Sequence, residues 1–346
     1  MIKILVINSV PAKNCLLQQA FKELEQKNFS FGWLSAKNPL LGQFKFIFLL
    51  ISFKFKRQVN LIVCFNFSEK IIITPLARLF GLKVVWLEGT ELNYRRSNKL
   101  LLALYKLNCR LAEIVVFSGY GKLKLKNIGC AENKISLITP GIKLAVYQEN
   151  IFNKLASAGR ENFHRKYFTV GAVTALNHQQ KIETIFQAVK ASLPVISNIQ
   201  LIIIGEGQER KNLLWLAKKM QIDNLIWLVG EPAQLKKWLD SFDIFLVSGE
   251  NLSLDDYGNI LEAMAAGLPV LAPRNIGLED LIIENKTGSL IEANNSEMLA
   301  RQIIKLHQDK RLRLYLGKNG RDRASQLFTL DKMAEKLARV FSLKNL

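Results

Sequence analysis

The strongest constraint on how this chain folds is a repeated alternation. Short apolar runs (KILVIN, LIVCFN, KVVWLE, EIVVFS and KISLI) recur through the first 140 residues, with helix-length segments between them. Those segments read as helices over residues 14–27, 97–111 and 119–128, with one more ending near Phe80, just before Gly81. The runs are rich in β-branched residues and do not alternate apolar with polar. Strands of that kind are buried on both faces, as in a parallel sheet covered by helices. The pattern stops after TPG (139–141), and residues 144–166 are polar, Asn/Lys-rich and aperiodic. It then resumes with YFTVGAV, IQLIIIG, NLIWLVG, FDIFLVS, PVLAP and TGSLI, and two or three helices close the chain. Such spacing predicts doubly wound α/β architecture. The expectation is two Rossmann-like domains with parallel sheets, facing a cleft that holds the ligand. They cover residues 1–148 and 167–327, with 149–166 as linker and 328–346 open to packing back onto the first.

The 346 residues are 49% apolar, ample for two cores and too apolar for disorder. Four cysteines (Cys15, Cys64, Cys109, Cys130) contain no C-x-x-C pair, so reduced structural thiols are expected. His164, His178 and His307 lack metal-ligand spacing. The opening MIKILVINSV reads as a strand rather than a leader. The longest suspicious apolar run, FIFLLISF (46–53), is far short of a membrane span. The expected location is cytoplasmic, or peripheral on the cytosolic membrane face.

Net charge is +19 and unevenly spread. Residues 1–150 hold 22 Lys and Arg against eight Glu and no Asp, a surplus of 14 that leaves +5 for the rest. Such a field attracts nucleic acid, anionic lipid or a phosphorylated substrate, and a solubility charge is the plainer alternative. FKFIFLLISFKFKRQ (44–58) mixes Phe with Lys, and YRRSNK (94–99) and LKLKN (123–127) add to the same half. The lysines of 44–58 do not gather on one side of a helix, so a core helix and an interfacial segment are both admitted. No nucleic-acid reader module is present, which disfavours that partner.

One stretch concentrates unusual chemistry: DDYGNILEAMAAGLPVLAP, residues 255–273. After DIFLVS a loop is expected to run to Tyr257, with Gly258-Asn259 opening a helix that continues through Ala266. Gly267 suits the C′ position and Pro269 forbids continuation. A helix start at the carboxyl end of a parallel strand attracts anions. Glu262, about one turn in, can accept two hydrogen bonds from a vicinal diol such as a ribose. The alternative is an ordinary crossover with a solvated Glu.

GNILEAMAAGLPVLAP closely resembles the signature of family 4 glycosyltransferases of the GT-B fold. The resemblance continues in order through IQLIIIGEGQERKNL, NLIWLVGE and GLEDLIIENKTGSLIE, covering roughly residues 167–326, and more weakly through RLAEIVVFS and KISLITPGI. It implies transfer of a sugar from a nucleotide-sugar donor to an acceptor, with the donor on the second domain and the acceptor on the first. Lipid-linked or cell-envelope glycan acceptors are the expected class. It also implies a retaining mechanism without cofactor or bound metal, and no D-x-D triplet occurs. The donor-binding residues it implies are Glu262, Gly258, Asn259, Ile260, Lys181, Gly205, Gly207, Val229 and Gly230.

Four features depart from the family pattern. The Glu expected eight positions before Glu262 falls on Leu254, so Asp255 or Asp256 is the nearest acid, and Asp255 is the catalytic candidate. The diphosphate-binding Arg is replaced by Ala172 or Ala175, leaving Lys181 nearby, with Arg210 or Lys211 as substitutes. The first loop, NSVPAKN, has no Gly. VWLEGTELN carries no His, so Glu88, Thr90 and Glu91 stand in that region, with Glu88 the second catalytic candidate. These departures keep a second reading alive, a non-catalytic GT-B-like binding protein or partner subunit.

Overall fold

The computed structural model describes residues 2–7, 15–34, 59–89, 99–148, 167–177, 179–232, 234–249, 252–274 and 277–342. The chain divides into two compact units. The first comprises Met1–Gly141, Ser253–Asp255 and Leu330–Leu346; the second comprises Ile142–Leu252 and Asp256–Thr329.

In the first unit, β1 (Ile2–Ile7), β2 (Phe29–Leu34), β3 (Leu61–Cys64), β4 (Lys83–Glu88), β5 (Glu113–Val116) and β6 (Ile135–Leu137) form one sheet. Every pairing is parallel, in the order β2-β1-β3-β4-β5-β6. The apolar runs became strands because Ile62, Trp86, Ile114 and their neighbours are buried on both faces under helices. Strand β2 was not expected. Its sequence, FSFGWL, puts Ser and Gly between aromatics and so lacks the continuous apolar signal. It is an edge strand, and its Phe31 ring lies tilted against Phe21 with centroids 4.8 Å apart.

Among the described residues four helices follow the strands: α1 (Cys15–Glu25), α2 (Phe67–Leu79), α3 (Lys99–Asn108) and α4 (Gly119–Ile128). Pro75 lies inside α2. A proline there removes the N–H that would bond the carbonyl four residues earlier, that of Ile71. Asn108 supplies the replacement, donating from Nδ2 to Ile71 O at 2.7 Å. The interrupted helix is therefore satisfied from α3, which explains a buried Asn at that position.

The second unit begins with α5 (Ala145–Gln148) and continues β7 (Phe168–Val173), α6 (Gln179–Ser192), β8 (Ile199–Ile204), α7 (Arg210–Lys219), β9 (Ile226–Val229), α8 (Leu235–Leu239) and β10 (Ile244–Leu246). Then come α9 (Leu254–Ala265), β11 (Val270–Pro273), β12 (Gly288–Ile291), α10 (Ser296–Gln308) and α11 (Lys310–Leu327). The sheet is again all parallel, in the order β12-β11-β10-β7-β8-β9. Strand order reverses between β7 and β10. Crevices at the carboxyl ends of strands flanking such a reversal are where doubly wound sheets bind ligands.

The expected loop and Gly-Asn turn before Glu262 are corrected by α9. The helix starts at Leu254, so Asp255 through Ile260 are helical and Gly258 does not adopt a left-handed backbone. The reason lies in the burial pattern: Leu254, Tyr257, Ile260, Leu261 and Met264 are all buried, which continues a helical stripe upstream. Asp255 and Asp256 then fall in the first turn, where the helix dipole favours carboxylates. Glu262 accordingly lies more than two turns in, not one. The C-terminal end is as expected. Gly267 has φ +77°, Leu268 N bonds Ala263 O at 3.0 Å, and Gly267 N bonds Met264 O at 2.9 Å. Arg321 of α11 adds donors to Ala265 O at 3.0 Å and Ala266 O at 2.8 Å.

The chain returns to the first unit with α12 (Leu330–Ser342). Its buried face comprises Leu330, Met333, Ala334, Leu337, Val340 and Phe341. The Phe341 ring lies 6.5 Å from Phe21 and 6.3 Å from Phe29.

Candidate functional site

The carboxyl ends of the second sheet carry three closely fitted loops. The turn after β8 is pressed onto the turn after β7. Thr174 N bonds Ile204 O at 3.0 Å, Leu176 N bonds Glu206 O at 3.0 Å, and Glu209 N bonds Leu176 O at 2.8 Å. Gly205 has φ +146°, and a Cβ there would overlap the Thr174 carbonyl. Only glycine allows the two turns to touch. Gly207 is packed as closely, against Leu176 and Asn177. Val229 ends β9, and Gly230 after it faces the Glu206 carboxylate. Arg210, considered above as a substitute phosphate ligand, instead donates from Nη2 to Leu228 O at 2.8 Å and pairs with Glu206 at 3.4 Å. It ties α7 to β9. Lys211 is exposed.

On the other side of the reversal lies α9. Its first turn carries Asp255 and Asp256, both half-buried. The amides lacking an acceptor within a helix are those of its first four residues, here 254–257. Gly258, Asn259 and Ile260 follow, so their amides belong to the helix ladder, and Ile260 buries its side chain.

Glu262 is the most distinctive group. Burial pushes its carboxyl above the usual carboxylate range, and a hydrogen bond from Tyr147 partly offsets this. The Tyr147 hydroxyl donates to Oε2 at 2.9 Å. Oε1 has no hydrogen-bond partner among the described residues. Tyr147 is itself buried in α5, and its phenol is pushed up by burial and by the Glu262 charge. The arrangement is a carboxylate with one oxygen fixed and the other available as an acceptor. Sequence reasoning missed Tyr147, which lay in a stretch read as polar linker, 115 residues from its partner.

A cavity of about 230 Å³ lies at the carboxyl ends of β10, β11 and β12, beside α6 and the start of α10. Thr184, Ser248, Glu292 and Asn294 are among its lining residues. Ser248 Oγ is buried without a hydrogen-bond partner among the described residues.

Glu88 ends β4 in the first unit and is buried. It accepts the Tyr105 hydroxyl at 2.5 Å and pairs with the buried Lys70 at 2.8 Å. Lys70 also donates to Leu87 O at 3.1 Å. Ala172 lies in β7 and Ala175 in the turn after it. Lys181 is the third residue of α6, with its side chain outside the described set. Thr90, Glu91, the NSVPAKN loop and residues 44–58, 94–98 and 149–166 also lie outside the described residues. Among the described residues no cluster of three or more His, Cys, Asp or Glu is placed to hold a metal, and no helix is long and apolar enough to cross a membrane.

Residues 154–323 match the family model described as glycosyl transferases group 1. The chain is 24% identical over 169 residues to N-acetyl-alpha-D-glucosaminyl L-malate synthase of Bacillus anthracis, covering 48% of this chain and 44% of that protein. It is 24% identical over 317 residues to the capsular polysaccharide biosynthesis glycosyltransferase CapM of Staphylococcus aureus, covering 83% of this chain and 80% of that one. The match therefore spans less than half the length of the first relative and four fifths of the second. Among solved structures, Anabaena Alr3699/HepE in complex with UDP superposes with a TM-score of 0.79, at 17% identity over 99% of this chain and 100% of that one. Sucrose-phosphate synthase from Thermosynechococcus elongatus superposes with a TM-score of 0.80, at 18% identity over 99% of this chain and 98% of that one. At these identities the superpositions establish the fold, which is GT-B.

Proposed function

We propose that this chain, which belongs through residues 154–323 to the family 4 (group 1) glycosyltransferases, transfers a sugar from a nucleotide-sugar donor to an acceptor. The observation that carries the reading is Glu262. It is a half-buried carboxylate with Oε2 held by Tyr147 and Oε1 without a partner among the described residues, on the helix that follows β10. Such an oxygen suits the hydroxyls of a ribose diol. The backbone around Gly205, Gly207 and Gly230 and the amides at the start of α9 would receive the diphosphate and base. Asp255, in that first turn, is the proposed acid facing the sugar. Lys181 is the proposed phosphate cation. The proposed chemistry is metal-independent and retaining. It rests on positioning and on stabilising the leaving diphosphate.

The proposed acceptor is lipid-linked or a cell-envelope glycan, met at the cytosolic membrane face. The capsular-polysaccharide relative and the basic first unit support that choice. UDP is the first probe, because the similar Anabaena structure holds it. Glu262→Ala is expected to weaken UDP binding in calorimetry at least tenfold while the protein stays folded. Unchanged affinity would remove Glu262 from the site.

One observation favours the second reading, a non-catalytic binding subunit. Glu88 is engaged by Lys70 and Tyr105 and buried, which leaves it poorly placed to act on a substrate. Transfer or donor hydrolysis by purified protein decides against that reading, and failure across a donor panel decides for it.

A further inference from the structure

We infer that the outer face of α3 is a membrane-contact surface that seats on anionic lipid. Helix α3 has three longitudinal faces. Tyr105, Asn108 and Cys109, at its end, face the core. Leu100, Leu104 and Leu107, spaced as a single helical stripe, face outward, and Leu111 in the following turn continues it. Leu100 is 65% exposed and Leu107 is 58% exposed, so both present most of their surface to solvent. Lys99 and Lys106 form a third face, continued by Arg110 in the closing turn, roughly 100° around the axis from the leucines. The helix contains no acidic residue.

Scattered exposed leucines need no explanation, but a stripe of this kind does. An apolar stripe beside a purely basic one fits a helix lying in the membrane plane, with leucines among the acyl chains and lysines at the level of anionic headgroups. Charge selects the occupant. The first 150 residues carry a surplus of 14 positive charges, which disfavours a second copy of this chain at this face and favours an acidic surface. The inference rests on the membrane-face reading proposed above for its biological meaning. Its physical basis is independent of turnover.

The test is flotation of the full chain with phosphatidylcholine vesicles, with and without about a third phosphatidylglycerol. The unsubstituted chain is expected to float with the anionic vesicles only, and less at high salt. The doubly substituted L104Q/L107Q protein is expected to partition at least roughly tenfold less, and K99E/R110E comparably less. All four positions are exposed, and UDP calorimetry on the same preparations monitors the second unit. No flotation of the unsubstituted chain overturns the membrane reading itself. Flotation undiminished by L104Q/L107Q overturns the assignment to α3. Self-association that L104Q/L107Q abolishes, with vesicle binding unaffected, overturns it in favour of a copy-to-copy interface. Absence of UDP binding by the unsubstituted chain, with its flotation intact, would sink the donor-site reading and leave this surface standing.

Discussion

Replacing Tyr147 by Phe removes a single donor, the hydroxyl 2.9 Å from Glu262 Oε2, and keeps the buried ring. A hydrogen bond to an ionised group contributes about 1.5–3 kcal/mol. The substitution should therefore raise the Glu262 carboxyl further, because the bond that partly offsets its burial is gone. The direction of the pH dependence follows. Burial holds this carboxyl above its unfolded value, so the native state binds the proton more tightly than the unfolded chain does. That preference favours the native state below the unfolded value and is withdrawn as pH rises through the folded one. Tyr147→Phe should therefore cost about 1.5–3 kcal/mol at an alkaline pH above the raised Glu262 value, and much less at an acidic pH below it. In a unit of this size each kcal/mol moves the melting midpoint by roughly 2–4 °C. Thermal denaturation at both pH values reads the cost directly. Calorimetry with UDP reads the consequence for the site. Binding that needs the carboxylate should fade at a higher pH in the variant than in the unsubstituted protein. The reasoning fails if the cost is equal at both pH values, or if Tyr147→Phe destabilises a Glu262→Gln background as much as the parent.

Three further outcomes are expected. Asn108→Ala should cost about 1–3 kcal/mol in denaturant titration, because the Ile71 carbonyl freed by Pro75 loses its donor; an unchanged midpoint would mean water takes its place. Gly205→Ala should abolish UDP binding and lower the melting temperature, since its left-handed backbone and the Thr174 carbonyl both exclude a Cβ. Lys126 and Lys122 hold the Glu132 carboxyl down to about 2, so this fully exposed group adds stability above its ordinary value near 4.5 that is lost as pH falls toward 2. Glu132→Gln should flatten that acid limb of the stability curve, and high salt should shrink the difference between the two proteins.

The fold was legible because its signal is local. Apolar runs buried on both faces announce parallel strands, and eleven of the twelve strands among the described residues carry that signal. The edge strand β2 escaped because it is covered on fewer sides and so tolerates Ser30 and Gly32. The start of α9 was misplaced because Gly258-Asn259 carries strong turn chemistry. The buried stripe of Leu254, Tyr257 and Leu261 overrode it. At the site, Glu262 was visible from its motif, whereas its partner Tyr147 was not. Nothing in a single sequence links two positions 115 residues apart. The same holds for Lys70, Tyr105 and Glu88, whose mutual contacts exist only after three elements have packed.

The return of α12 to the first unit has a consequence for biosynthesis. The ribosome must pass residue 342 before that unit can be completed, although most of it emerges first. A nascent chain paused near residue 329 would carry the full sequence of its second unit behind a first unit still lacking α12. Phe21 and Phe29, which meet Phe341 in the finished fold, would meanwhile be without that cover and available to chaperones. The first unit is therefore the first to begin emerging and the last to be completed.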